Sequence, residues 1–391
     1  MKIRIITHAP FPEGLATTNR VFYHAKGLAA NGVDVKIYIA LPTERPESVA
    51  NPAPTGNYKG IDFEYSGGET VRSRSSFRRK YNYLTFPIKA AIKALKDKPD
   101  AVVMISYSSV YVLLITKLIF LLAGMRFIVE ETELPLIVNR NYGIYKLRND
   151  FLKLFLFKNL DGFLVISYEL KKIYSKLVSK KCPIVLIPVI VDVDDIYREG
   201  VPRTRNIVYT GPLHQKKDGI LTIIKSFSAI AGEYPEVNLV CTGSIEHSAD
   251  RDKVKEELAK SKFRDRIIMK GFVSRTEMID LLNSAVCLVL AKPSSDQADT
   301  CFPTKLGEYL STGNPIAVTS TGEIPLYLKD GENAYISEPD SVDSYTQKLR
   351  ELLSDPDKAI RIGEEGKKVA GEKFNYKEIA KKVISLVENG K

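Results

Sequence analysis

The sequence has little of what most metal, redox or disulfide chemistry needs. Its four cysteines, Cys182, Cys241, Cys287 and Cys301, are scattered and mostly lie in apolar runs, with no CxxC and no Cys/His spacing. That excludes a zinc cluster and a disulfide framework and fits a reducing compartment. The four histidines, His8, His24, His214 and His247, include no HExxH pair, and no Ser-His-Asp signature is readable. GxGxxG and GxxxxGK[ST] are both absent, so neither the ordinary dinucleotide fingerprint nor a Walker A loop is present. No DxD at a strand end asks for a metal, and neither metal nor cofactor is expected. The longest apolar run, Val110 to Gly124, carries Lys117 and falls short of the ~20 residues that span a bilayer. It reads as a buried helix. No leader is apparent, since Met1 runs almost directly into KIRIIT, and a cytoplasmic location is expected.

What is present is an ordinary globular composition, 44% hydrophobic and 27% charged, over 391 residues. That length suggests two domains. The net charge of +10 is uneven: residues 1–190 hold 28 Lys and Arg against 15 Asp and Glu, residues 191–391 hold 29 against 32. The basic half concentrates its charge in VRSRSSFRRK (Val71 to Lys80) and YKLRNDFLKLFLFK (Tyr145 to Lys158). No nucleic-acid motif accompanies it, so nucleic acid is not an expected partner. A solvated face is one reading. An anionic membrane surface is the other, because Phe151, Leu152, Leu154, Phe155, Leu156 and Phe157 interleave with the lysines.

Apolar strands alternate with helical patterns throughout: KIRIIT, DVKIYIA, AVVMIS, RFIVEE, GFLVIS and PIVLIP, then NIVYT, VNLVCTG, RIIMKG, VCLVLA and NPIAVT. Continuous apolar strands separated by helices predict α/β architecture, with two doubly wound parallel sheets. The expected division is residues 1–188, a linker over 189–204, a second domain over 205–372 and a final helix over 373–391. In that helix Ile379, Val383, Ile384 and Val387 form a stripe.

Ligands of such sheets gather at the carboxyl ends of the strands. There the first strand ends in HAPFPEGLATTN, where Gly14 permits either close backbone approach to a ligand or a simple turn, and where His8 is a candidate. The fourth ends in EETELP, whose Glu130, Glu131 and Glu133 suit a general base or an acceptor sugar, or merely a helix start. The second half opens with NIVYTGPLHQKKDGILTIIKSF: a strand, Gly211, Lys216, Lys217 and Asp218 as an N-cap, a layout suited to phosphate. VNLVCTG ends at Gly243, and GFVSRTEM carries a capping box of Ser274 and Glu277. FPTKLGEYLSTGNPIAVT reads as a helix with Pro303 in its first turn, followed by a strand. Its Lys305 faces the positive end of the helix dipole, unfavourable unless a phosphate is bound, and Glu308 on the same face suits sugar hydroxyls.

Taken in order, these segments resemble the retaining glycosyltransferases of family 4. The Gly14 loop is similar to that family's glycine loop, TGPLHQKKDGILTIIKSF to its G-R-L-x-x-x-K-G segment, and GFVSRTEMIDLLNSAVCLVL to its G-x-V-x-x-x-E block. FPTKLGEYLSTGNPIAV is similar to its carboxyl-terminal Glu motif. The resemblance implies the GT-B fold, two Rossmann-like domains with an interdomain cleft, and metal-independent hexosyl transfer with retention. The donor would be a nucleotide-sugar, UDP before GDP. The acceptor would be a glycan or polyprenyl-linked glycan in bacterial capsule, O-antigen or exopolysaccharide synthesis at the cytoplasmic membrane face. It implies that Lys217 binds the diphosphate, Glu308 the ribose, and the amides of Thr304, Lys305 and Leu306 the distal phosphate. Gly14 would approach the phosphate, and the loop at Val273 would contact the base. Two residues depart from the pattern. Pro212 stands where an arginine is usual, and Thr300 where the first acid of Glu-x7-Glu is expected. A non-catalytic nucleotide-sugar-binding subunit and a nucleotide-sugar 2-epimerase are the alternatives.

Overall fold

The computed structural model of the chain describes residues 1–107, 110–133 and 144–389. They form two compact units, Met1–Ile190 with the segment from Tyr376 onward, and Val191–Asn375. The stretch expected as a linker contains a short helix, Val193–Ile196, whose amides bond to the Asp192 carboxylate.

The first unit is built on β1 (Lys2–Thr7), β2 (Asp34–Ile39), β3 (Thr55–Tyr58), β4 (Ile61–Tyr65), β5 (Ala101–Ile105), β6 (Arg126–Glu131), β7 (Gly162–Val165) and β8 (Ile184–Leu186). Their order is β3-β4-β2-β1-β5-β6-β7-β8. The second contains β9 (Asn206–Tyr209), β10 (Asn238–Thr242), β11 (Ile267–Gly271), β12 (Cys287–Leu290), β13 (Ile316–Thr319) and β14 (Tyr335–Ser337). Here the order is β11-β10-β9-β12-β13-β14. All these pairings are parallel except β3 with β4. Strand order reverses beside β1 in one sheet and beside β9 in the other, which is where open α/β sheets leave a crevice for ligands.

The fully buried strands are those whose sequences are continuously apolar: every residue of β5 and of β12 is inaccessible, as a sheet covered on both faces requires. Helices that cover the sheets include α1 (Ala16–Ala30), α2 (Ser76–Lys96), α3 (Val110–Leu122), α4 (Ile144–Phe157), α5 (Gln215–Asp218), α6 (Ile220–Ile230), α7 (Arg275–Ser284), α8 (Thr304–Ser311) and α9 (Tyr376–Glu388). The stripe on α9 enters the core of the first unit, where Ile379, Val383 and Val387 join Ile3 and Leu28. Close packing of α9 on α1 depends on Gly27, where a Cβ would stand 2.3 Å from the Tyr376 carbonyl oxygen.

The β3–β4 hairpin is an addition to the expected parallel series. Lys59 and Gly60 form its two-residue turn with φ of 48° and 86°, the doubly left-handed geometry that matches strand twist. Its strands escape an apolar-run reading because β4 alternates buried and solvent-facing residues, while β3 is an exposed edge.

Candidate functional site

Three neighbouring strands of the second unit end in left-handed glycines. Gly211 follows β9 at φ 124°, Gly243 follows β10 at 92°, and Gly271 closes β11 at 74°. A Cβ on Gly243 would lie 2.2 Å from the Gly211 oxygen, and one on Gly211 would lie 2.6 Å from Lys305 Nζ. The Gly211 amide donates to Thr242 Oγ1 at 3.0 Å, and the Gly243 amide to the Gly271 oxygen at 2.6 Å. The sheet end is thus a glycine floor, its left-handed backbone and close packing disfavouring any other residue there.

Lys305 reaches down onto that floor. Its Nζ lies 2.9 Å from Asp218 Oδ2, donates to the Tyr209 hydroxyl at 3.1 Å, and sits 4.6 Å from the Tyr209 ring centroid. Burial pulls the Lys305 ammonium below its usual value, opposed by the Asp218 carboxylate. Lys305, read as a first-turn lysine suited to phosphate, thus has its charge engaged by Asp218. Pro303 is the cap residue before α8 rather than part of its first turn, and the Leu306 amide, expected to meet phosphate, donates to the Pro303 oxygen at 3.0 Å. Thr304 opens the helix and is exposed, while Leu306 is buried. The Tyr309 hydroxyl accepts from the Thr210 amide at 2.8 Å and fixes α8 to the end of β9.

Asp218 is not an N-cap. It closes α5, and its carboxylate turns to Lys305 and to the Tyr209 hydroxyl at 3.0 Å. Gly219 caps α6 instead, at φ 71°, where a Cβ would fall 1.7 Å from the Ala291 oxygen. Only glycine has both the conformation and the space. Lys217, beside Asp218, is exposed and makes no ion pair among the described residues.

Glu308 projects from α8 to Arg275, with Oε1 2.6 Å from Nη1. Arg275 lies in the first turn of α7, which Ser274 caps by accepting from the Glu277 amide. Glu277 does not complete the expected box, because its carboxylate pairs with Lys270 at 2.8 Å. Val273 is partly buried in the preceding loop, next to exposed Phe272, whose ring is 5.9 Å from that of His247. Thr300 is buried.

The first unit distributes its candidates differently. Gly14 makes room for Thr18, whose Oγ1 would stand 2.1 Å from a Cβ there and donates to the Pro10 oxygen at 2.7 Å. Burial holds the His8 imidazole neutral, down to about 4. Successive strand residues point to opposite faces, which separates Glu130 from Glu131. Glu130 has a fully buried side chain held by Arg20 at 2.8 Å and His24 at 2.9 Å. Burial alone would raise its pKa, but the charges and hydrogen bonds of Arg20 and His24 bring it to about 2. It is an internal ion pair, not an open acceptor carboxylate. Glu131 bonds to the Tyr107 hydroxyl, and the Glu133 oxygen of the main chain accepts from Tyr174 at 3.0 Å. Pro135, which ends this loop motif, lies outside the described residues.

Tyr209 and Arg275 are the site residues that motif reading missed. Tyr209 had one signal, a polar group at the end of an otherwise apolar strand. Chemically, the second unit pairs Lys305 with Asp218 and Arg275 with Glu308 where parallel strands end, with exposed Lys217 next to Asp218 in the chain, an arrangement suited to an anion bearing hydroxyls. No group of three or more His, Cys, Asp or Glu side chains that could hold a metal ion occurs among the described residues.

Comparison with known proteins bears on the fold and on the second unit's sequence. Residues 196–369 match the family model of glycosyl transferases group 1. An MMP alpha-(1->4)-mannosyltransferase of Mycolicibacterium hassiacum is 27% identical over 192 residues, 49% of this chain and 44% of that protein. The chain thus spans about half the length of the curated relatives it matches. Among solved structures, sucrose-phosphate synthase of Thermosynechococcus elongatus superposes with a TM-score of 0.70 at 14% identity, covering 99% of this chain and 98% of that one. HepE of Anabaena in complex with UDP gives 0.70 at 13% identity, covering 100% of both. The two parallel-sheet units match the fold of GT-B glycosyltransferase structures, and residues 196–369 resemble the glycosyl transferases group 1 family.

Proposed function

We propose that the chain is a retaining glycosyltransferase, taking a hexose from a nucleotide-sugar and passing it to a glycan or lipid-linked acceptor in bacterial polysaccharide assembly. The observation that carries the reading is the lysine, aspartate and glutamate cluster over the glycine floor of β9, β10 and β11, within the segment that resembles group 1. UDP-sugars are preferred to GDP-sugars, in keeping with the UDP bound by HepE of Anabaena.

In the proposed reaction the bond from the anomeric carbon to the β-phosphate oxygen breaks while the acceptor oxygen bonds from the same face. The acceptor proton passes to the departing phosphate. The nucleoside diphosphate gains negative charge, and preorganised cations at that position are the largest source of stabilisation, without a metal. Lys217 and Lys305 serve this role, Lys305 compensating for Pro212. Glu308 takes ribose hydroxyls while sharing its carboxylate with Arg275, and the Val273 loop takes the base. Glu131 and Glu133 are the acidic candidates for acceptor hydroxyls.

Calorimetric titration with UDP- and GDP-sugars, followed by product analysis, tests the reading. One nucleotide class is expected to bind and its sugar to be transferred; failure of every donor to bind ends the proposal. Thr300, neutral where an acid is expected, favours the second reading, a non-catalytic partner subunit. Binding without turnover would establish that one, and release of a 2-epimer would identify an epimerase.

Peripheral attachment to an anionic membrane belongs to the same proposal. No helix among the described residues is long and apolar enough to cross a membrane. Exposed Phe77 on α2, Leu122 on α3, and Phe151 and Phe155 on α4 instead accompany exposed Arg74, Arg78, Arg79 and Lys80. Leu156 and Phe157, expected on this face, are buried. Flotation with anionic liposomes should recover the protein at low salt and lose it at high salt. Equal soluble fractions at both would overturn the attachment.

A further inference from the structure

The amino ends of β6, β7 and β8, with α9 beside them, enclose a cavity of about 1060 Å³ in the first unit. Arg126 opens β6, Asp161 immediately precedes β7 and Pro183 immediately precedes β8, and all three line the cavity. Open α/β sheets bind their usual ligands at the opposite, carboxyl ends of the strands. The cavity therefore belongs to none of the candidate sites described above.

Its walls carry Arg126, Lys158, Lys181, Lys381 and Lys382 against a single carboxylate, Asp161, among the described residues. That carboxylate is already engaged. It lies 2.8 Å from the ammonium of buried Lys117 and accepts from the Phe127 amide at 2.9 Å. Lys381 pairs with Glu378 at 2.6 Å, and the Arg126 guanidinium donates to the Val387 carbonyl. Lys158, Lys181 and Lys382 make no ion pair among the described residues. Exposed lysines elsewhere have an acid one helical turn away, as Lys172 has Glu169 and Lys368 has Glu365. Here cations from the start of β6, the end of α4, the segment before β8 and α9 converge on one concave volume with no acid left to meet them. Such a concavity focuses positive potential and concentrates anions, while the cations repel one another until an anion arrives.

Lysines act as compact point charges, which suits phosphate oxygens approached from several sides. The volume is that of a site for a small organic ligand rather than a lone ion, and Val185 and Leu386 give it an apolar wall. We propose that this cavity is an anion site of the first unit, independent of the donor-site reading, and that it takes a phosphate-bearing molecule through Lys158, Lys181 and Lys382. Two sources share that chemistry. One is a soluble phosphate compound. The other is an anionic lipid headgroup, within reach because Lys158 continues the α4 face that exposes Phe151 and Phe155.

The test reverses two exposed lysines together, Lys181→Glu and Lys382→Glu. The control, Lys253→Glu with Lys262→Glu, makes an equal charge change on exposed residues of the second unit. Inorganic pyrophosphate is titrated by calorimetry, and phosphatidylcholine vesicles with and without phosphatidylglycerol are sedimented with each protein. The ligand-free cavity variant should melt no lower than wild type, because repulsion among the cations is relieved. Its affinity for pyrophosphate, or for phosphatidylglycerol vesicles, should fall by about tenfold or more while the control keeps the wild-type value. A loss with pyrophosphate assigns a soluble phosphate compound; a loss confined to the vesicles assigns a lipid headgroup. Pyrophosphate held in the donor site would bind all three proteins alike and cancel in the comparison. Should the cavity variant melt lower, Lys181→Gln with Lys382→Gln removes the charges without reversing them, and the same outcomes decide. Wild-type affinity for both probes in the cavity variant overturns the site, as does an equal loss in the control or a wild-type protein that binds neither probe.

Discussion

Lys217→Ala should reduce sugar transfer by about 10²–10³-fold, the usual effect of removing one preorganised partner of a developing anion. The expectation follows from the contrast between two lysines. Lys305 is inward and bonded to Asp218 and Tyr209, so its loss would disturb packing and catalysis together. Lys217 is exposed on α5 and has no ion pair among the described residues. Truncating it should leave the unfolding temperature close to wild type. Both kcat and kcat/KM should fall, because the interaction strengthens as the leaving diphosphate gains charge. A rise in KM alone would make Lys217 a ground-state contact, and near-native transfer would remove it from the site.

Arg20→Met should destabilise the first unit by roughly 3–5 kcal/mol, the cost of leaving a buried charge without its partner. The guanidinium donates to both Glu130 oxygens and, at 2.8 Å each, to the carbonyls of Ile187 and Pro188. The pH dependence distinguishes this mechanism from simple loss of packing. In the native protein Glu130 lies at about 2, below its ordinary 4.5. The stability it contributes is present above the unfolded value and is lost as pH falls from 4.5 through 2. Without Arg20, burial is opposed by His24 alone, so the Glu130 pKa rises and the loss of stability on acidification becomes shallower. Parallel denaturant titrations from neutral to acidic pH would show the two slopes; parallel slopes would exclude the assigned pair.

The contrast between α/β architecture and site detail has a physical origin. Strands such as AVVMI and CLVL are legible because a sheet covered on both faces demands unbroken apolarity, whatever lies around it. The β3–β4 hairpin gives no such signal, being an edge with alternating burial. Gly211, Lys217, Lys305 and Glu308 are visible as motif residues, but which way a side chain turns depends on packing remote in sequence. Asp218 suits an N-cap by residue type. The 1.7 Å clearance between a Gly219 Cβ and the Ala291 oxygen, set by a strand some 70 residues later, gives that place to glycine. Glu130 and Glu131 were separable in principle, since adjacent strand residues face opposite ways.

The glycine floor limits how this pocket could be redesigned. Position 243 has no room for a side chain, and Gly211 and Gly271 share its left-handed backbone. A library meant to change the accepted sugar would spend its diversity there on misfolded variants. New selectivity is better sought at the positions that depart from the family pattern, Pro212 and Thr300, with the glycines left untouched.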